Sequence, residues 1–268
     1  MVEPVPWRSD VGIVFEKTGW RLHERQLPSI LHILDGQDCI HASATGDGKS
    51  ALFLAPLLCH LAVSAEPERY PEFAGQVRER PVGIVVMPTK GLARNVVETA
   101  RKLGLASIAF DRETLAAAAA EGRNLEEEIG SRKFQLVCVD PEHLSTPAWR
   151  RIFEFKLFVQ NLVLTCLEEG HLLGEWLLFR KAYAIVASFI RGRVRSHTSV
   201  FAMSATIEPG EPLATLQRLG GFREHEIFRH SNERHNVQFT VKPLQHALKN
   251  RSYPQLLPYL NAGRKTVI

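Results

Sequence analysis

At 268 residues the chain is long enough to bury one full-sized core, and with 45% apolar and 23% charged residues it is too apolar to be disordered. A net charge of +4 and a pI near 8.9 tolerate a polyanionic partner without requiring one. The N-terminus MVEPVPWRSD has no apolar signal region, and no apolar run approaches the roughly 20 residues that span a bilayer, so no membrane segment is expected.

The first apolar run, DCIHAS (38–43), reads as a strand and leads into SATGDGKS, Ser43–Ser50. That segment fits a P-loop, in which backbone N–H groups around the glycines cradle phosphates at the N-terminus of the next helix. Gly46 and Gly48 let the backbone curl where a Cβ would collide, and Ala44, Thr45 and Asp47 complete the loop. Lys49 is expected on the β- and γ-phosphates of ATP, and the Ser50 hydroxyl on Mg²⁺. Ser43 stands where glycine or alanine is usual.

Helix SALFLAPLLCHLAV (50–63) follows, apolar on all sides, and then a polar, proline-containing segment (66–81) that reads as a surface loop. Next come a strand, VGIVVMP (82–88), an amphipathic helix, GLARNVVETARKLG (91–104), and a helix-forming stretch over 112–130. FQLVCVD (134–140) and LVLTCL (162–167) read as two more strands, the second ending in Glu168 and Glu169. Glu168 and Glu169 are expected to face the phosphate site, one holding Mg²⁺ and the other orienting or deprotonating the attacking water. A strand SVFAMSAT (199–206), a helix LATLQRLGG (213–221) and a strand NVQFTV (236–241) follow.

Strands apolar on consecutive positions, alternating with helices, imply an α/β fold: a mostly parallel sheet with helices on both faces. Cys39, Cys59, Cys138 and Cys166 form no CxxC pair and read as reduced core thiols, which implies a reducing compartment. The expected organisation is an N-terminal extension (1–17), a nucleotide-binding domain (18–241), and a linker with the start of a second domain (242–268), whose last residues, RKTVI, read as an opening strand.

Taken in order, these motifs resemble the first RecA-like domain of a superfamily 2 DEAD/DEAH-type helicase, with a doubly wound sheet, and most closely a RecQ-like one. Gln26, in TGWRLHERQ (18–26), lies 23 residues before Lys49, where that family places an adenine-reading glutamine. MPTKGLARN (87–95) resembles motif Ia, with Thr89, Lys90 and Arg94 as nucleic-acid contacts, and VCVDPEHL (137–144) resembles motif Ib. LEEGH (167–171) resembles motif II, and AMSAT (202–206) resembles motif III. The resemblance implies that His171 couples the hydrolysis site to Ser204 and Thr206. LLGEWLLFR (172–180) resembles an aromatic-rich loop coupling single-stranded DNA to ATP hydrolysis, with Trp176 at its centre, and SNERHNVQF (231–239) resembles the segment leading into a second motor domain.

The resemblance therefore implies an ATP- and Mg²⁺-dependent 3′ to 5′ helicase motor. Its expected partners are single-stranded or forked DNA and a second RecA-like domain. Some residues depart from the pattern: Glu168 replaces aspartate, Gly170 replaces alanine and is expected to loosen its turn, and His23 and Arg25 replace arginine and glycine. They leave two alternatives, a degenerate scaffold that binds nucleotide or DNA without turnover, and a P-loop ATPase acting on protein assemblies.

Overall fold

The computed structural model describes Glu16 and residues 18–73, 75–175 and 190–233. The strands are β1 (Asp38–Ala42), β2 (Val82–Val86), β3 (Ser107–Phe110), β4 (Leu136–Val139), β5 (Leu162–Glu168), β6 (Ser199–Ser204) and β7 (His225–Arg229). All pair in parallel, in the order β3-β4-β2-β5-β6-β1-β7. The helices are α1 (Leu27–Leu34), α2 (Ala51–Ala65), α3 (Lys90–Lys102), α4 (Arg112–Ala120), α5 (Leu125–Gly130), α6 (Pro147–Ile152), α7 (Lys156–Asn161), α8 (Leu172–Glu175) and α9 (Glu211–Gly220).

Strand side chains alternate between two apolar layers, which explains why the strands are apolar throughout. Cys39, Val85, Cys138, Cys166 and Phe201 pack with α1, α2 and α3. Ile40, Ile84, Val137, Leu167 and Ala202 pack with α4 to α7 and α9, around the fully buried Trp149. All four cysteines are free and buried, as expected of core thiols, and burial pushes the Cys39 and Cys138 thiols well up.

The helical stretch 112–130 is two helices instead of one. Asp111 Oδ1 accepts from Thr114 N at 2.7 Å to cap α4, and Gly122 takes φ +70°, a backbone that side chains resist. Asn124 Oδ1 then accepts from Glu127 N at 3.2 Å and starts α5. Two strands also enter the sheet without a long apolar run, β3 at one edge and β7 at the other. Asp38 fastens β1 from below: its buried carboxylate accepts from Val200 N at 2.9 Å and from Arg223 Nη2 at 3.0 Å, and it pairs with Arg191.

One compact unit runs to Asn232. The strand expected at 236–241, the boundary at 241/242 and the final RKTVI lie outside the described residues. Among the described residues no helix is long and apolar enough to cross a membrane.

Candidate nucleotide site

The turn after β1 places SATGDGKS at the carboxyl ends of the parallel strands, where open α/β sheets bind ligands. Gly46 and Gly48 have φ of +89° and +71°, the left-handed backbone this loop requires. Ser50 stands at the N-cap of α2, and the first N–H groups of that helix, those of Ala51 and Leu52, donate back to the Gly48 and Lys49 carbonyls at 2.9 Å each, which ties the loop to the helix end. Lys49 Nζ donates to the Ser43 and Ala44 carbonyls, at 3.0 Å each, and is thereby held inside the cradle where phosphates would replace those acceptors.

Two strands away, the end of β5 carries the acidic pair, and the two carboxylates diverge. Glu168 is largely buried, its Oε2 has no hydrogen-bond partner, and its pKa is pushed up to about 7, first by desolvation and then by the charge of Glu169. Lys49 and His171 act in the opposite direction. Glu169 has its pKa lowered, first by the hydrogen bond from His171, against a desolvation penalty, and further by Ser204. Glu169 turns away from its neighbour through a backbone φ of +50° and reaches Ser204 on β6, whose Oγ donates to Glu169 Oε2 at 3.2 Å. His171 Nδ1 lies 2.7 Å from the same hydroxyl, and Thr206 N donates to it at 3.1 Å. Both carboxylates feel the Lys49 charge, and Glu169 is in addition built into the motif III network.

Gly170 does not loosen its turn. Its N–H donates to Met203 O at 3.0 Å, and an added Cβ would lie 3.0 Å from Ala202 Cβ and 3.4 Å from Leu216 Cδ1. The turn presses so closely on β6 that glycine is the residue that fits.

Gln26 lies at the start of α1 and is 5% exposed. Its Nε2 donates to Asp47 O at 2.9 Å and Gly48 O at 3.0 Å, and its Oε1 accepts from His23 N at 2.9 Å. It therefore braces the P-loop directly. Beside it lies a cavity of about 410 Å³ lined by His23, Glu24, Arg25, Gln26, His41, Ser43, Gly46 and Asp47, adjoining the phosphate cradle as a nucleoside pocket would. Concavities of about 440 and 640 Å³ open at the other end of the sheet, where none of the motif residues line them.

A divalent cation fits this donor set. Glu168 Oε2 is a buried acceptor lacking a partner, and Ser50 stands at the helix end that would face the same phosphates. Among the described residues no cluster of three acidic, histidine or cysteine side chains could hold a metal, so the remaining ligands would be phosphate oxygens and water.

Thr89 occupies the N-cap position of α3 in extended conformation, without a side-chain cap bond, after β2, which lies three strands from β1. The exposed Lys90 and Arg94 both pair with Glu113 on α4, Lys90 at 3.8 Å. Trp176 lies outside the described residues. Sequence reasoning missed Glu113 and also missed His41 and Ser29, which underlie the P-loop; their pairings cross between elements and carry no local motif.

A DEAD/DEAH box helicase family model matches residues 23–214. The chain is similar to the pre-mRNA-splicing ATP-dependent RNA helicase prp28 of Aspergillus niger, 31% identical over 121 residues, covering 44% of this chain and 14% of that protein. It is also similar to a probable vasa-like ATP-dependent RNA helicase of Penaeus vannamei, 32% identical over 81 residues, 30% of this chain and 11% of the relative. The matched part is thus a small fraction of either relative. Among solved structures, the DUF1998 helicase MrfA bound to DNA and AMPPNP superposes with a TM-score of 0.59 at 16% identity, over 87% of this chain and 30% of that one. The DEAD-box helicase Mss116 bound to ssRNA and UDP-BeF gives 0.55 at 17% identity, over 82% and 42%. These likenesses show a shared fold, the parallel RecA-like sheet. With a family model matched across most of its length, and the P-loop, acidic strand end and SAT segment assembled at one end of the sheet, the chain belongs to the DEAD/DEAH box helicase family.

Proposed function

We propose that this domain is the ATP-binding half of a motor that moves on single-stranded nucleic acid, with Mg²⁺ as its cation. The observation that carries this reading is the continuous hydrogen-bonded path from P-loop to motif III: Ser43 N donates to Ser204 O at 3.2 Å, and Ser204 Oγ joins Glu169, His171 and Thr206.

When bound, Mg²⁺–ATP supplies the phosphoanhydride whose hydrolysis drives such motors. Lys49 exchanges two backbone carbonyls for phosphate oxygens. Glu168 and Ser50 hold the cation's shell. Glu169, kept ionised by its donors, accepts from and orients the attacking water. Ser204 and His171 sense that carboxylate and link it to Thr206. Gln26 holds the loop to α1 and borders the base.

DNA is the first reading of the strand, supported by the RecQ-like segments 172–180 and 231–239, and with it 3′ to 5′ polarity. RNA is the second, supported by the names of the curated relatives. ATP turnover of the full-length protein, measured with no nucleic acid, with single-stranded DNA and with single-stranded RNA, tests the proposal. Stimulation by one strand chemistry is expected and identifies it. Strand-independent turnover contradicts the motor and favours an ATPase of protein assemblies; nucleotide binding without turnover favours a scaffold.

A further inference from the structure

Beneath the P-loop lies a hydrogen-bonded relay that the motifs leave unused. His41, on β1, is 1% exposed. Its Nδ1 lies 2.8 Å from Ser29 Oγ on α1, and its Nε2 lies 3.0 Å from Ser43 Oγ, the first P-loop residue. Both serines are buried. Burial foremost, then the charges of His230 and Lys49, lower the His41 pKa to about 4, against the pull of Asp47. A neutral imidazole donates through one nitrogen and accepts through the other, and each serine hydroxyl can turn to match. Both ring nitrogens are therefore satisfied within a fully buried strand.

Ser43 is where the loop's contacts converge. Its carbonyl accepts from Lys49 Nζ, its N–H donates to β6, and its hydroxyl meets His41. Helix α1 begins immediately after Gln26, whose amide holds the far end of the same loop at Asp47 and Gly48. The P-loop is consequently fastened to α1 at both ends, by Gln26 at its tip and by Ser29, His41 and Ser43 at its root. A plain glycine or alanine at position 43 would leave the root unfastened.

We infer that His41 is a positioning residue for the nucleoside triphosphate, clamping the root of the P-loop to α1 so that the phosphate cradle and the base-side cavity bordered by Gln26 form one rigid receptor. The inference rests on the nucleotide-site reading above. It accounts for the serine that departs from the usual pattern: Ser43 is the hydroxyl that His41 needs.

Mg²⁺–ATP affinity, measured by calorimetric titration of wild type, His41→Ala, Ser43→Ala and the double variant, tests it, with thermal unfolding recorded for each. We expect His41→Ala and Ser43→Ala each to weaken affinity about tenfold, the effect of one buried hydrogen bond, and the double variant to be no weaker than His41→Ala. Ser29→Ala, a milder change at the far end of the relay, is expected to weaken affinity about threefold while folding normally, and it decides the matter if His41→Ala does not fold. Loss of thermal stability with unchanged affinity, or additive losses in the double variant, overturns the inference. Wild-type binding that is weakened by Lys49→Ala shows that the nucleotide-site reading stands in either case; without that loss both fall.

Discussion

His171 Nδ1 lies 2.7 Å from Ser204 Oγ, and the bookkeeping of that hydroxyl fixes the direction of the whole contact. Ser204 has one proton, which it donates to Glu169 Oε2, so its lone pairs accept from Thr206 N and from His171. His171 must then carry its proton on Nδ1, an assignment made from the network. In the proposed motor, any movement of Glu169 toward a reacting water would be felt at Ser204, and through it at His171 and at the backbone of Thr206.

Removing that hydroxyl separates binding from turnover. Ser204→Ala is expected to leave the Kd for Mg²⁺–ATP within about threefold of wild type while nucleic-acid-stimulated turnover falls on the order of tenfold or more, because the lost contact holds Glu169, the carboxylate we propose orients the attacking water. Parallel measurement of Kd and kcat checks this; a loss confined to Kd contradicts it.

Adjacent carboxylates with opposite shifts give a pH signature. Glu168 titrates near 7, so as pH falls from 8 to 6 it takes up a proton and loses the charge that a cation requires. Mg²⁺–ATP affinity is expected to fall over that range in wild type and to be flat in Glu168→Gln. The sign for stability is the reverse. With a folded pKa above the unfolded value of 4.5, the folded chain holds the proton more tightly, so stability falls as pH rises from 4.5 to 7. Glu168→Gln is expected to be more stable than wild type above pH 7 by on the order of 1–3 kcal/mol, with the difference vanishing below pH 4.5. Denaturant unfolding across pH measures it.

Glu113 stands in the way of the motif Ia cations. It pairs with both Lys90 and Arg94 at exposed positions, where such pairs contribute about 0–1 kcal/mol and yield to phosphate. Glu113→Gln is expected to tighten single-strand binding about threefold at low salt. Lys90→Ala and Arg94→Ala are expected to weaken it and to reduce the slope of log affinity against log salt by about one each. Fluorescence anisotropy at several salt concentrations reads both, and an unchanged slope would remove these residues from the strand interface.

Gly170→Ala restores the residue usual in the family and is nonetheless expected to destabilise the domain by about 1–3 kcal/mol, since the new methyl meets Ala202 Cβ on a central strand. Ala202→Gly in the same chain is expected to recover part of that loss in a double-mutant cycle. Additivity of the two changes would show that the turn relaxes on its own.

The strands that position the site were legible because they are buried on both faces: VGIVV and LVLTCL are apolar at every position or nearly so. Strand β7, HEIFR, was not, because it is an edge strand whose side chains stay partly or fully exposed, and four-residue β3 was too short to stand out. Gly122 and Asn124 broke the helical stretch over 112–130, a local signal outweighed by the alanine run beside it. In the site, the P-loop and Glu168 to His171 were evident as motifs. The bond of Gln26 to the Asp47 and Gly48 carbonyls, the clamp of His41 on Ser43 and the close approach of Gly170 to Ala202 were not, because each joins residues brought together only when the sheet is built.

Calorimetric titration of Mg²⁺–ATP into wild type and Lys49→Ala tests the central claim most directly. Saturable binding with one site per chain is predicted, weakened about 10- to 100-fold in Lys49→Ala as a charge-assisted contact is lost. No binding by the wild type, or equal binding by both, would contradict the account.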